Sequence, residues 1–237
     1  MTDTYRLADV NVRVSAIHPA VHALCSGYAA DGPADFDVHI RQTDIDDERR
    51  RADRPGDSDA YLETLAVLRK IAEKLPGYDA FLFHGSAVAV DGQAYIFTAP
   101  SGTGKSTHTR LWRTLLGGRA VMVNDDKPLI RVQADGTATV YGSPWDGKHR
   151  LSSNIAVPVR AICVLGRSGE NRLRETAKAG LLPMLVQQTY RPADPAMLAR
   201  TLTLLDRLSA RFYRLECNMD LSAAELSYGA MALRNDE

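Results

Sequence analysis

Apolar and polar positions alternate loosely over residues 5–14 and more regularly over Phe36-Asp37-Val38-His39-Ile40-Arg41-Gln42, a period of two that predicts a strand at each place. Residues 16–30 between them follow neither period. Residues 43–59 are dense in Asp, Glu and Arg and contain Pro55-Gly56, so they read as a solvated loop. The period then changes. Tyr61, Leu62, Leu65, Leu68, Ile71, Ala72 and Leu75 recur at helical spacing, with Asp57 or Ser58 as cap and Pro76-Gly77 as stop, which predicts a helix over 59–75.

The next apolar runs come in pairs. Phe81–Val90 and Gln93–Thr98 are joined by Asp91-Gly92, and Leu129–Gln133 and Thr137–Tyr141 by Asp135-Gly136. An Asp-Gly link between such runs predicts a hairpin. Val159–Leu165 reads as a buried strand, 176–188 and 194–211 as helices, Phe212–Cys217 as a short strand and Ser222–Leu233 as a closing helix. No internal repeat is visible. The pattern therefore predicts an α/β chain with a mixed central sheet, β-hairpins and flanking helices.

One segment carries readable chemistry. Ala99-Pro100-Ser101-Gly102-Thr103-Gly104-Lys105-Ser106-Thr107 follows the apolar run Ala94-Tyr95-Ile96-Phe97 and precedes a helical pattern from His108. It fits a phosphate-binding loop, with Ala99 in place of the usual first glycine. Glycines let successive N–H groups point into one concavity. Lys105 reaches the β- and γ-phosphates, and the Ser106 hydroxyl is placed to ligate Mg²⁺. Unusually for such a loop, the strand feeding it belongs to an antiparallel hairpin.

A second cluster follows. The run Ala120-Val121-Met122-Val123 leads into Asn124-Asp125-Asp126, where an acidic partner for the metal and an acceptor for a hydroxyl proton are expected. His84 in Phe83-His84-Gly85-Ser86-Ala87 sits before the loop, where the hairpin carries it toward the phosphates. The loop Tyr141–Arg150 offers Lys148 and Arg150 for charge on a transferring phosphoryl group, and Trp145 either to cover a substrate or to fill a core edge. Gln187–Pro192 is a weaker candidate, and His18, His22, His39 and His108 show no readable spacing.

Composition narrows the class. The 237 residues carry 29 Lys plus Arg and 29 Asp plus Glu. A net charge of zero argues against bulk nucleic-acid or anionic-membrane binding. Cys25, Cys163 and Cys217 form neither a disulfide pattern nor a zinc motif and read as buried reduced thiols. Without a signal-peptide layout or a long apolar run, the expected compartment is the cytoplasm.

In this order Phe83-His84-Gly85-Ser86-Ala87, the Asp-Gly hairpin, Ser101–Thr107 and Asn124-Asp125-Asp126 resemble the nucleotide-binding core of the HPr kinase/phosphorylase and ATP-dependent phosphoenolpyruvate carboxykinase superfamily, over roughly residues 80–165. The resemblance implies that family's catalytic-domain fold, with residues 1–78 as an N-terminal α/β extension packed on a phosphate-loop domain at 79–237. It implies a Mg²⁺-ATP-dependent kinase acting on a hydroxyl, serine of a protein or peptide first, with a small-molecule hydroxyl or a regulatory nucleotide-binding role as alternatives. It makes Ser101, Gly102, Thr103, Gly104, Lys105, Ser106 and Thr107 the nucleotide contacts. Ser106, Asp126 and His84 lie at the metal, Asp125 is the base, and Lys105, Lys148, Arg150 and His84 assist catalysis. A homo-oligomer stays open. The chain departs from the family in length, being too short for a carboxykinase. It also lacks the glycine-rich segment after the catalytic acids, a region that Trp145-Asp146-Gly147-Lys148 occupies here.

Overall fold

The computed structural model describes residues 1–52 and 56–232. Its strands are β1 (Thr2–Leu7), β2 (Val10–Ser15), β3 (Phe36–His39), β4 (Ala80–Leu82), β5 (Ser86–Val90), β6 (Gln93–Thr98), β7 (Ala120–Asn124), β8 (Leu129–Val132), β9 (Ala138–Tyr141), β10 (Ala156–Arg167), β11 (Arg172–Glu175) and β12 (Arg211–Cys217). Its helices are α1 (Pro19–Cys25), α2 (Gln42–Arg51), α3 (Asp59–Lys74), α4 (Lys105–Leu116), α5 (Leu182–Gln188), α6 (Pro195–Arg207) and α7 (Leu221–Met231).

The first sheet has the order β1-β2-β3, antiparallel then parallel. Residues 5–14, expected as one strand, are a hairpin. Ala8 and Asp9 reverse the chain at φ 51 and 59, a turn that neither residue type announces. The charged stretch 43–59 also differs from expectation, because Gln42–Arg51 is helical. The backbone N–H of Arg41 donates to Asp44 Oδ2 at 2.8 Å, which starts α2. Ile45 and Glu48 face inward, and Glu48 accepts from Arg69 of α3, Nη2 at 2.9 Å. Residues 53–55 of that stretch lie outside the described residues. In α3 the stripe Leu62, Leu68, Ile71 and Ala72 is buried, whereas Tyr61 is exposed. Ser58 Oγ caps the helix by accepting from the Tyr61 N–H at 3.3 Å. The buried Glu63 accepts from the N–H groups of Ile17 and His18 at 2.6 and 2.7 Å, and so caps the start of α1.

The second sheet runs β4-β8-β9-β10-β6-β5-β7, with β12 on β10 and β11 on β12. Strand β10 is its hub. Ala156–Pro158 pair antiparallel with β9, and the remainder lies parallel between β6 and β12. The sheet is therefore mixed, as expected. Asp91-Gly92 closes the β5–β6 hairpin with both residues at positive φ. The β8–β9 hairpin closes over three residues, Ala134 to Gly136, because Gln133 N–H donates to Thr137 O at 2.8 Å. The run Phe81–Val90 does not stay in one strand. It breaks at 83–85, so that β4 pairs with β8, and β5 with β6 and β7. Residues 176–188 are helical only from Leu182, since β11 and a short turn precede α5, and α6 ends at Arg207. The expected last residue of the closing helix, Leu233, lies outside the described residues.

Helices α4 and α7 cover one face of this sheet, where Tyr95, Phe97, Trp112, Cys163, Tyr213 and Ala224 pack together. Helices α5 and α6 cover the other, around Ile96, Ile162, Val164, Leu185, Leu204 and Phe212. Full burial of a side chain such as Ile96 or Phe97 contributes about 1.5–3 kcal/mol. A third cluster joins the first sheet and α3 to Ala80, Leu82, Leu129, Tyr141 and Trp145. Strand β5 runs against both β6 and β7, so its first residue and the last residues of β6 and β7 meet at one end of the sheet.

Candidate functional site

That end of the sheet gathers most of the residues singled out in the sequence. The glycine-rich loop leaves β6 and enters α4 at Lys105. Gly102 and Gly104 stand at φ 78 and 125, a backbone that other residues adopt only under strain. Ser101 and Gly102 are exposed, while Thr103, Gly104, Ser106 and Thr107 are half-buried. Lys105 is buried, and its ammonium folds back on its own loop, donating to Ala99 O at 3.0 Å and Pro100 O at 3.4 Å. Burial lowers its pKa. Asp126 and Asp125 pull it back up, and Lys127 lowers it further, so the amine feels both acids and a second cation.

The two acids point to different neighbours, as adjacent residues leaving a strand should. Asp125 is buried and accepts from Ser86 Oγ at 2.6 Å. Ser86 Oγ in turn lies 2.9 Å from Thr109 Oγ1, one turn along α4. Asp125 is thereby tied to the helix that follows the glycine-rich loop. Asp126 is half-buried, with Oδ1 3.1 Å from Lys127 Nζ and 3.4 Å from His84 Nε2. Asn124 fixes the turn that carries both acids. Its Oδ1 accepts from the N–H groups of Asp126 and Lys127 at 2.8 and 2.6 Å, and its amide donates to Ser143 O at 3.0 Å.

His84 lies in the break between β4 and β5. Its N–H donates to Gln188 O at 2.7 Å, and its Nδ1 meets Gln188 Oε1 at 2.7 Å. Burial, then Lys127 and Lys105, pull its pKa down to about 4, against Asp126. Its Nδ1 thus faces Gln188 Oε1 and its Nε2 faces Asp126.

The loop after β9 reaches the same place. Gly147 packs so closely on Asp126 that a Cβ there would stand 3.0 Å from the aspartate Cβ. Lys148 and Arg150 beside it are exposed and bond to no side chain among the described residues. Trp145 is a core residue, buried against α3 with Nε1 donating to Thr64 O at 2.9 Å. His108 is buried between α4 and α7, with Nε2 3.0 Å from Ser227 Oγ. The three cysteines are free, two of them buried.

Four neighbours of this cluster were not singled out as site residues: Ser86, Lys127, Gln188 and Arg167. Gln188 stood only in a weakly marked loop, Ser86 only within the His84 segment, and Lys127 and Arg167 not at all. Arg167 ends β10 and donates to two carbonyls of the glycine-rich loop, Gly102 O through Nη2 and Thr103 O through Nε at 3.3 Å. Only the parallel pairing of β10 with β6 brings it there.

Among the described residues no three His, Cys, Asp or Glu cluster as a ready-made metal site, and no helix is long and apolar enough to cross a membrane. No protein-family model and no curated protein matches the chain. Among solved structures it is similar to the HPr(Ser) kinase/phosphatase from Coxiella burnetii, with 10% identity and a TM-score of 0.38, over 65% of this chain and 95% of that one. A likeness of that strength carries no weight for activity.

Proposed function

We propose that the chain binds ATP with Mg²⁺ and transfers the γ-phosphoryl group to a hydroxyl, serine of a protein or peptide in the first instance. The observation that carries this reading is the convergence of the glycine-rich loop, Lys105, Ser106, Asp125, Asp126 and His84 at one end of the sheet. Residues 1–78 then act as an extension packed on the nucleotide-binding part.

Phosphoryl transfer asks mainly for positioning and charge neutralisation. The loop N–H groups and the start of α4 cradle phosphate oxygens. Lys105 exchanges its two carbonyl partners for the β- and γ-phosphates. Magnesium held there would supply positive charge to offset that of the phosphates. The donors that would hold it, Ser106 Oγ and the Asp125 carboxylate, are the hard oxygens this ion prefers. Asp125 suits that task because its bond to Ser86 fixes it on the α4 side. Asp126, half-buried, is the better base for an incoming hydroxyl, with His84 Nε2 3.4 Å from its Oδ1. This division reverses the one expected from the sequence. Lys148 and Arg150 meet charge on the transferring group.

Arg167 positions the loop. A trans peptide sets each C=O opposite the following N–H. Holding the carbonyls of Gly102 and Thr103 therefore aims the N–H groups of Thr103 and Gly104 away from the guanidinium. Because Arg167 is exposed, the effect is modest. Arg167→Ala is expected to weaken Mg-ATP binding by about three- to tenfold, as for the loss of a hydrogen-bonding charge, with Arg167→Lys in between. Calorimetric affinities that match the native chain would remove Arg167 from this role.

The whole reading is tested by ADP formation from Mg-ATP, alone and with serine peptides or small hydroxyl compounds. Acceptor-dependent ADP release is expected. Tight nucleotide binding with no ADP release under any acceptor would leave a regulatory nucleotide-binding protein instead.

A further inference from the structure

The sheet carries a cationic pair in line with the candidate site. Register places Thr98 of β6 beside Val164 of β10, Val164 beside Arg214 of β12, and Arg214 beside Arg174 of β11. Residues paired in this way share one face of the sheet. His84 stands on that face too, because Thr98 Oγ1 donates to His84 O at 2.8 Å. One row therefore runs from His84 and Thr98 outward to Arg214 and Arg174.

Both arginines are exposed, and among the described residues neither side chain has a hydrogen bond or an ion pair. Like charges directly opposite on paired strands destabilise a sheet. Other charges near the row do not answer this one. On the next row of the same face Arg172 pairs with Glu170, and the Glu216 carboxylate lies over Gly166 of β10, turned away from β11. Glu175 and Arg211 pair with each other.

Resting on the phosphotransferase reading, we propose that Arg174 and Arg214 dock an acidic segment of a polypeptide acceptor. Strands lie about 4.8 Å apart, so Arg214 and Arg174 are roughly 10 and 14 Å from Thr98 along the row. An extended chain rises about 3.3 Å per residue. Thr98 and Val164 between are buried, so these distances are minima, and the acceptor carries its carboxylates at least three to four residues from the hydroxyl that receives the phosphoryl group.

The probe is a pair of short fluorescein-labelled peptides with a central serine. One has glutamate, the other glutamine, at the third and fourth positions on either side. The native chain is expected to bind the glutamate peptide about tenfold more tightly, a difference of about 1.4 kcal/mol, and the preference shrinks with added salt. In the double variant Arg174→Ala, Arg214→Ala the preference disappears. Mg-ATP affinity is unchanged, and thermal stability is not lowered, because two like charges at paired register positions are removed. Equal binding of the two peptides by the native chain overturns the proposal, as does a preference that survives the double variant. Displacement of the peptide by free glutamate at equal concentration overturns the polypeptide acceptor in favour of a small acid. Lys105→Ala separates the two readings. If it leaves Mg-ATP affinity intact, the phosphotransferase reading fails, whatever the peptides do.

Discussion

Replacing Lys105 by alanine is expected to lower Mg-ATP affinity by about ten- to a hundredfold, the range for a hydrogen bond to a charged group at about 1.4 kcal/mol per decade. The side chain is buried beside two carboxylates and a second lysine, so its ammonium is already largely stripped of water. Its present partners are neutral carbonyls of Ala99 and Pro100. Anionic phosphates are stronger partners, and the exchange takes place where little water competes. The substitution falls at the first residue of α4, and the apolar cluster of Leu111 and Trp112 keeps its own side chains, so the fold is expected to persist. Calorimetry with ATP and Mg²⁺ reads the affinity, and circular dichroism checks the fold. A folded variant that binds as tightly as the native chain would mean that the loop is not a phosphate site.

Asparagine at the two acids is expected to produce two different defects. Asp126→Asn keeps most Mg-ATP affinity and loses phosphoryl transfer by about 10²–10⁴-fold, the usual range for a general base. Asp125→Asn weakens the magnesium dependence of nucleotide binding, because it removes a charge beside the cation. It also leaves the Ser86 hydroxyl with an amide where it had a carboxylate, so some loss of stability accompanies it. Magnesium titrations of ATP binding need no acceptor and assign the metal side alone; single-turnover transfer assigns the base. If Asp126→Asn is the variant that loses magnesium, the roles revert to those expected from the sequence. If neither variant changes metal binding or turnover, the acids lie outside the active site.

The legible part of the site was local. Residues 99–107 announced a loop because glycine spacing and a following Lys-Ser have a direct geometric meaning, and Gly102 and Gly104 do take positive φ. Asp125, Asp126 and His84 were legible as candidates because each stands next to an apolar strand. The neighbours each of them meets were not. The strand pattern says only that adjacent acids point differently. Which of them meets Ser86 and which meets His84 depends on β5 lying between β6 and β7. Arg167 and Gln188 reach the site through pairings and packing between segments far apart in sequence, which no local period encodes.

The same distinction runs through the fold. The sequence by itself determined α3, the β5–β6 hairpin and the buried strand that became the core of β10, because period and turn chemistry act over a few residues. It did not determine the turn at Ala8-Asp9, where residues without glycine take positive φ to suit the sheet. Nor did it determine α2, whose charged residues are held by Arg69 of α3 and by burial of Ile45, or the break at 83–85, where one apolar run serves two pairings. Only the tertiary structure decided these, since burial and pairing with distant segments outweigh a local preference of a few tenths of a kcal/mol to about 1 kcal/mol per residue.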